Sequence, residues 1–333
     1  MYTDIKLEKG LYNIAGKNFT SALEALDSDA EYKGTELEGL DAFERQLKRF
    51  DIKVSGRNSD TVEKFFQSSE TAALFPEFVA RAIKQGVADA NVLPEIVAAT
   101  TYITGYDYRS ISTLPSTDEV TLKDIGEGAV IPATDIMLNQ NLVTLTKRGR
   151  VLRVSYEAIR NQRLDLFAVT LRQIGMSIAS EQVADAVSLI VDGYHGVGSA
   201  EVITAPESSF SYSTLISFWS KFKEFNLSTL LVSPDTMAKI LDFSEIRDKF
   251  NGEYMTSGKM VLPFGATLVK TTCIPDGTII GLDKSCALEM VVASDLTLES
   301  DKLIDRQLER TAITATAGFS KIFEKASKVL KLV

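Results

Sequence analysis

The sequence predicts a chain of mixed helix and sheet, of α/β or α+β type, and three observations carry that reading. One stretch, Asn161 to Gly193, keeps the three-and-four spacing of a buried helical face over most of its length. Elsewhere the apolar period drops to two, from Thr100 to Tyr108 and again from Leu142 through Val154 to Tyr156. Between Gly193 and about Ser300, short helical and short strand patterns alternate.

The long stretch is the element around which the rest is arranged. Its apolar side chains fall at Leu164, Phe167, Leu171, Ile174, Ile178, Val183, Val187 and Ile190, and no proline interrupts them. Asn161 suits an N-cap, Asp165 puts a carboxylate at the positive helix end, and Asp192-Gly193 supplies the stop. At 1.5 Å per residue the helix is a rod of about 45 Å. That is about three times the usual helix length, which predicts a backbone for a flat or elongated molecule.

Upstream of it, residues 1–60 alternate between apolar and charged, and Glu24, Asp27, Asp29, Glu31, Glu36, Glu38, Asp41 and Glu44 stand against Lys33 alone, the pattern of a solvated helical face. Leu40, Phe43, Leu47 and Phe50 share one side of a helix that suits a partner. Ser55-Gly56-Arg57-Asn58-Ser59-Asp60 reads as a linker and marks a boundary. In SSETAALFPEFVARAIKQGV, Phe78, Val79, Ile83 and Val87 share a face, with Pro76 at a first-turn position. Tyr102, Thr104, Tyr106 and Tyr108 then line one side of a strand, an aromatic stripe expected to pack.

From Val120 to Ile159 the pattern is two long strands, around Val120 to Ile125 and from Leu142 through Val154. They are joined by the polar tip IPATDIMLNQN, which is too long for a tight turn and should project as a hairpin. Lys147, Arg148, Arg150 and Arg153 put four positive charges on the return strand with no acid among them, a surface for an acidic neighbour. Past the long helix, helices are expected at Ser213 to Phe225 and Pro234 to Phe243. Strands are expected at Thr229 to Val232, Ala266 to Lys270, Thr278 to Leu282 and Ala287 to Val292. Asn251 to Lys259 reads as a mobile loop, Asp301 to Ala317 as a long strand, and Lys321 to Val333 as a basic tail.

Composition narrows the function classes. A length of 333 residues, 45% of them hydrophobic, allows two or so domains with a sizeable core. A net charge of -9 and a pI near 4.9 argue against a surface that grips nucleic acid. No run of eighteen apolar residues spans a membrane, and Asp4, Glu8, Glu24 and Asp27 replace a signal pattern, so the expected compartment is the cytosol. Cys273 and Cys286 read as free thiols, and with one histidine a four-ligand zinc site would need other residues.

Catalytic motifs give little. His195 is the only histidine and no GxSxG occurs. Ser220-Lys221-Phe222-Lys223 matches SxxK without the accompanying SDN or KTG. Gly193-Tyr194-His195-Gly196-Val197-Gly198 resembles a phosphate loop but follows a helix instead of opening one, so a phosphate would meet the negative helix end. Glu127 and Asp135 are scattered acids without specificity. The reading is of no enzyme, with no catalytic, cofactor or metal residues.

The order of four segments carries a resemblance: SSETAALFPEFVARAIKQGV; then IGEGAVIP opening a hairpin; then LRVSYEAIRNQRLDLF entering a long helix that ends in Asp192-Gly193; then DRQLERTAITATAGFSKIF. From Ser69 to Val333 this is similar to the major capsid proteins of tailed bacteriophages, the Hong Kong 97-like fold of α+β class. The resemblance implies an N-terminal acidic arm or scaffold-like segment (1–60), an N-arm and the start of a peripheral domain (61–121), and an extended loop (122–155). It further implies a peripheral domain with the spine helix and the late strand (156–193 and 300–333), and an axial domain (194–299). It implies self-assembly as hexamers and pentamers into an icosahedral shell around packaged double-stranded DNA, held without sequence-specific binding. It also implies portal, scaffold or decoration partners, no membrane, and a place in the virion capsid after synthesis in host cytoplasm. Within it, Lys147, Arg148, Arg150 and Arg153 are the expected assembly contacts. An encapsulin-type compartment of the same fold is the alternative, and a hydrolase the remote one.

Overall fold

The structure, a computed structural model, describes residues 5–14, 18–112, 124–125, 127, 137–138, 141–155, 161–193, 198–247, 260–303 and 308–333. The helices among them are α1 (Phe19–Leu26), α2 (Ala42–Arg49), α3 (Ser69–Ala90), α4 (Leu164–Val191), α5 (Tyr212–Trp219), α6 (Pro234–Leu241) and α7 (Ser244–Arg247). The strands are β1 (Val97–Tyr102), β2 (Ile111–Ser112), β3 (Met137–Leu138), β4 (Thr146–Ser155), β5 (Glu201–Ala205) and β6 (Thr229–Val232). They continue with β7 (Met260–Val261), β8 (Thr267–Lys270), β9 (Thr278–Leu282), β10 (Leu288–Leu303), β11 (Leu308–Lys321) and β12 (Ser327–Leu332). One sheet runs β1, β10, β11, β4; a second runs β5, β12, β9, β6, β8, β7; and β2 pairs with β3. The chain divides into two compact units, one of residues 1–90, 148–178 and 296–314 and one of residues 91–147, 179–295 and 315–333.

The first unit is built on α1, α2, α3 and the opening half of α4. Each short helix has a local reason to start: Asn18 accepts from the Ser21 amide at 2.7 Å, and Asp41 and Glu44 form a reciprocal capping box. Phe19, Leu23, Phe43 and Leu47 then bury against Leu74, Phe78, Val79 and Ile83 of α3 and Leu164, Phe167 and Leu171 of α4. The apolar face of α2, expected to suit a partner, is therefore covered by its own chain. Nor is Ser55–Asp60 a free linker. The Asp60 carbonyl accepts the Leu164 amide at 2.9 Å, the Gln162 carbonyl accepts the Val62 amide at 2.9 Å, and Arg163 reaches the carbonyls of Gly56 and Arg57. So α4 starts at Leu164, three residues past Asn161, and its first open amide is satisfied by this segment.

Two glycines let α3 and α4 approach closely. A Cβ on Gly86 would lie 2.0 Å from the Arg172 carbonyl oxygen, and one on Gly175 would lie 2.1 Å from the Ile83 carbonyl oxygen. Only hydrogen fits at either place. Pro76, expected in a first turn, sits inside α3, which begins at Ser69. Proline has no amide, so the Ala72 carbonyl loses its helical donor there.

By length and composition alone α4 could cross a membrane, but one apolar face is taken up by protein, while Leu166, Val169 and Met176 stay exposed. Leu164, Phe167, Leu171 and Ile178 belong to the core of the first unit, and Val183, Val187 and Ile190 to that of the second. Gly193, with φ of +71°, ends it as expected.

The second unit holds the six-stranded sheet. Its central strands are hydrophobic without alternation: β6 and β9 are buried along their whole length, as suits a sheet covered on both faces. Gly281 of β9 makes room for Phe218 and Leu227, whose atoms a Cβ would meet at 2.6 and 2.8 Å. Ser233 caps α6 by accepting the Thr236 amide at 3.2 Å, with Pro234 at its first position. The expected helix over 213–225 stops at Trp219, and the expected strand over 301–317 runs from Leu308 to Lys321. The basic tail is no tail. β12 pairs parallel with β5 and antiparallel with β9, and Lys328 lies buried beside Glu201 and over the Phe222 ring.

Candidate assembly surface

Every one of the four basic residues singled out by sequence lies on β4, an edge strand of the four-stranded sheet. Strand alternation then separates them. Arg148 and Arg150 fall on the side of Leu152, which packs against the first unit's core; Arg148 is half-buried and Arg150 exposed. Lys147, Val151 and Arg153 fall on the other side, all exposed, Val151 to 48%. Gly149 belongs to this strand because a Cβ there would come within 2.6 Å of the Ile313 carbonyl oxygen of β11.

The expected projecting tip lies largely outside the described residues, as does most of the strand over 120–125; the stretch over 251–259 and His195 lie wholly outside them. Within it, Met137–Leu138 pairs antiparallel with Ile111–Ser112. The aromatic stripe differs from expectation. β1 ends at Tyr102, and Tyr102 and Tyr106 are 73% and 72% exposed. Tyr108 instead donates to the buried Glu289 carboxylate at 2.7 Å, with Thr101 Oγ1 at 2.5 Å and Ser110 Oγ as its other donors. Burial first, and then that hydrogen bond, raises the Tyr108 phenol above its ordinary pKa.

The acidic run over 24–44 sorts into two classes. Asp27, Glu24 and Asp29 surround the fully buried Arg45 guanidinium, which also reaches the Leu40 carbonyl at 2.7 Å and stacks over Tyr32. Burial pulls the Arg45 pKa down, but the hydrogen bonds to Asp29 and Asp27 more than offset it. Glu31, Glu36 and Glu38 by contrast face solvent on a turn shaped by Gly34 and Gly39, both at positive φ.

One surface had no signal in the periodicity. On α5, Tyr212, Ile216 and Trp219 share a face, the rings of Tyr212 and Trp219 lie 6.5 Å from that of Phe264, and Ile216 and Trp219 are 42% and 44% exposed. The only tryptophan in the chain was the available hint.

Among the described residues, Ser220 and the two cysteines make structural contacts. Ser220 Oγ donates to the Ser217 carbonyl at 2.8 Å, a helix-end contact. Cys273 Sγ lies 3.2 Å from the Ser180 carbonyl oxygen, and Cys286 is pushed up in pKa, chiefly by burial. Among the described residues no group of three or more His, Cys, Asp or Glu could hold a metal ion.

A sequence profile of the family described as phage capsid protein matches residues 139–319, from just before β4 almost to the end of β11. No curated protein matches the chain. Among solved structures, the fold is similar to the capsid of an empty GTA particle (TM-score 0.52, 11% identity, 73% of this chain and 90% of that one). It is similar to the capsid of Cyanophage P-SCSP1u (0.51, 14% identity, 72% and 87%). It is also similar to a virus-like particle from Pyrococcus furiosus (0.50, 15% identity, 77% and 98%).

Proposed function

The chain belongs to the phage capsid protein family, and from that premise we propose that its copies tile an icosahedral shell, as hexamers and pentamers, around packaged double-stranded DNA. It is a major capsid protein of Hong Kong 97-like α+β fold, a structural component of the virion. The observation that carries this is the family match over residues 139–319, because that span contains α4, the six-stranded sheet apart from β12, and both long strands. The same match favours a phage shell over an encapsulin-type compartment.

The parts then take the roles that the resemblance implies. Residues 122–155 serve as the extended loop, 156–193 with the late strands as the peripheral domain, and 194–299 as the axial domain. β12 joins the axial part, since it pairs with β5 and β9. Lys147, Arg148, Arg150 and Arg153 act as assembly contacts between copies, and the subunit is made in host cytoplasm before meeting portal, scaffold and genome. DNA is held without base readout, in keeping with the net charge of -9. Light scattering and electron microscopy of the purified chain test the reading: shell-sized particles or capsomers are expected. A chain that stays monomeric at high concentration, with portal and scaffold supplied, overturns it.

A further inference from the structure

We propose that the open face of β4, formed by Lys147, Val151 and Arg153, docks on the acidic turn over residues 29–40 of a second copy of this chain. The proposal rests on the shell-forming reading above and names the partner surface for it.

Three observations lead there. First, β4 is an edge strand whose Leu152 packs against the core, while Lys147, Val151 and Arg153 on its other face are all exposed and open to a neighbour. Basic side chains on an edge discourage undirected strand pairing, which leaves side-chain docking. Second, the turn is pre-organised. Glu38 accepts the Gly34 amide at 2.8 Å, Thr35 Oγ1 donates to the Tyr32 carbonyl at 2.7 Å, and Lys48 Nζ reaches the Glu36 carbonyl at 3.3 Å. Arg45 neutralises the acids beneath, so Glu31, Glu36 and Glu38 face outward and outnumber the one exposed cation of the turn, Lys33. Third, both surfaces stay exposed in the single chain, so they are not neutralised by one another within it. Their charges are opposite, and two dissimilar patches on one subunit make a head-to-tail contact, the kind that closes into rings.

DNA is the rival occupant for a basic strand. An acidic chain that carries its own complementary surface favours a second copy.

Charge reversal tests the contact in the full chain. Lys147→Glu with Arg153→Glu, and separately Glu31→Lys with Glu36→Lys, should each raise the critical concentration for shell assembly by about tenfold. Glu38 and Glu44 are left alone because they hold the turn and the α2 cap. The chain carrying all four changes restores the pairing with signs exchanged and should return to within about threefold of wild type. Melting of the unassembled subunits should be the same in all four proteins. The contact is refuted if the Glu31/Glu36 pair has no effect, or if the fourfold variant assembles no better than either pair alone. If the β4 reversal leaves empty shells unaffected and lowers only DNA retention, the strand faces the genome and the proposal fails. Wild-type chain that forms no particles at all overturns the shell reading itself, a result separate from any of these.

Discussion

Lys321 ends β11 with its amine out of water, donating to the Gly198 carbonyl at 2.6 Å and to the Ile190 carbonyl at 3.4 Å, so that it ties Gly198 to the end of α4. Burial lowers its pKa from 10.5 to about 8, with Glu324 pulling weakly the other way. Between those two values the unfolded chain holds a proton that the folded chain does not, so raising the pH favours the fold. Relative to Lys321→Met, wild type should therefore gain on the order of 3 kcal/mol as pH rises from 8 to 10.5 and show a constant difference below 8. Denaturant midpoints at pH 7, 9 and 10 measure this, and a flat or falling difference refutes it. Arg45 sits in the opposite situation, wanted as a cation. Arg45→Ala takes the cation from the buried Asp27 carboxylate, to which Tyr32 and Gln46 still donate, and should remove about 3 to 5 kcal/mol from unfolding, read by thermal melts of unassembled protein. Neither role was legible in the sequence. A long cation among acids reads as solvent-facing, and lysines spaced along 321–331 read as a basic surface, because periodicity reports apolar positions and is silent on which charges are enclosed. The β4 residues were legible as a basic strand, while their division between two faces needed the register.

At the scale of elements, the α3–α4 crossing depends on two hydrogens. Gly86→Ala or Gly175→Ala should push the helices apart and cost about 1 to 3 kcal/mol, although alanine is intrinsically the better helix residue by about 1 kcal/mol. A stabilised alanine variant in a urea titration would show that the helices are not tightly seated. On α4 the depth of burial ranks the positions: Leu171 is fully enclosed and Ile174 only partly. Leu171→Asp should prevent folding, with loss of soluble subunit on expression, and Ile174→Asp should lower the melting temperature while leaving folded protein. Equal behaviour of the two would contradict this order. Spacing exposed the apolar stripe of α4 and the existence of most strands, since those depend on local pattern. It did not show Pro76 within α3, where tertiary packing outweighs a lost hydrogen bond, nor the glycine pairing, which joins positions far apart in the chain.

For the whole molecule, the first sixty residues change standing. Read from sequence they look like a detachable acidic arm, because their charges are local and their apolar partners lie on α3 and α4, beyond the reach of any window. In the structure Phe19, Leu23, Phe43 and Leu47 share a core with those helices. A chain beginning at Thr61 should therefore expose that core and lose its cooperative melt; a sharp transition by circular dichroism would show the segment to be dispensable for folding. Order of parts, by contrast, was legible enough to place the chain among capsid proteins, since length and sequence of elements survive where individual residues do not. One feature of the sheet also bears on timing. β12 lies between β5 and β9, so a nascent chain on the ribosome has a gap in its six-stranded sheet until residue 332 has been translated and has left the exit tunnel. Translation thus acts as a clock for this unit, whose sheet is complete only after its centre and far edge have already been made.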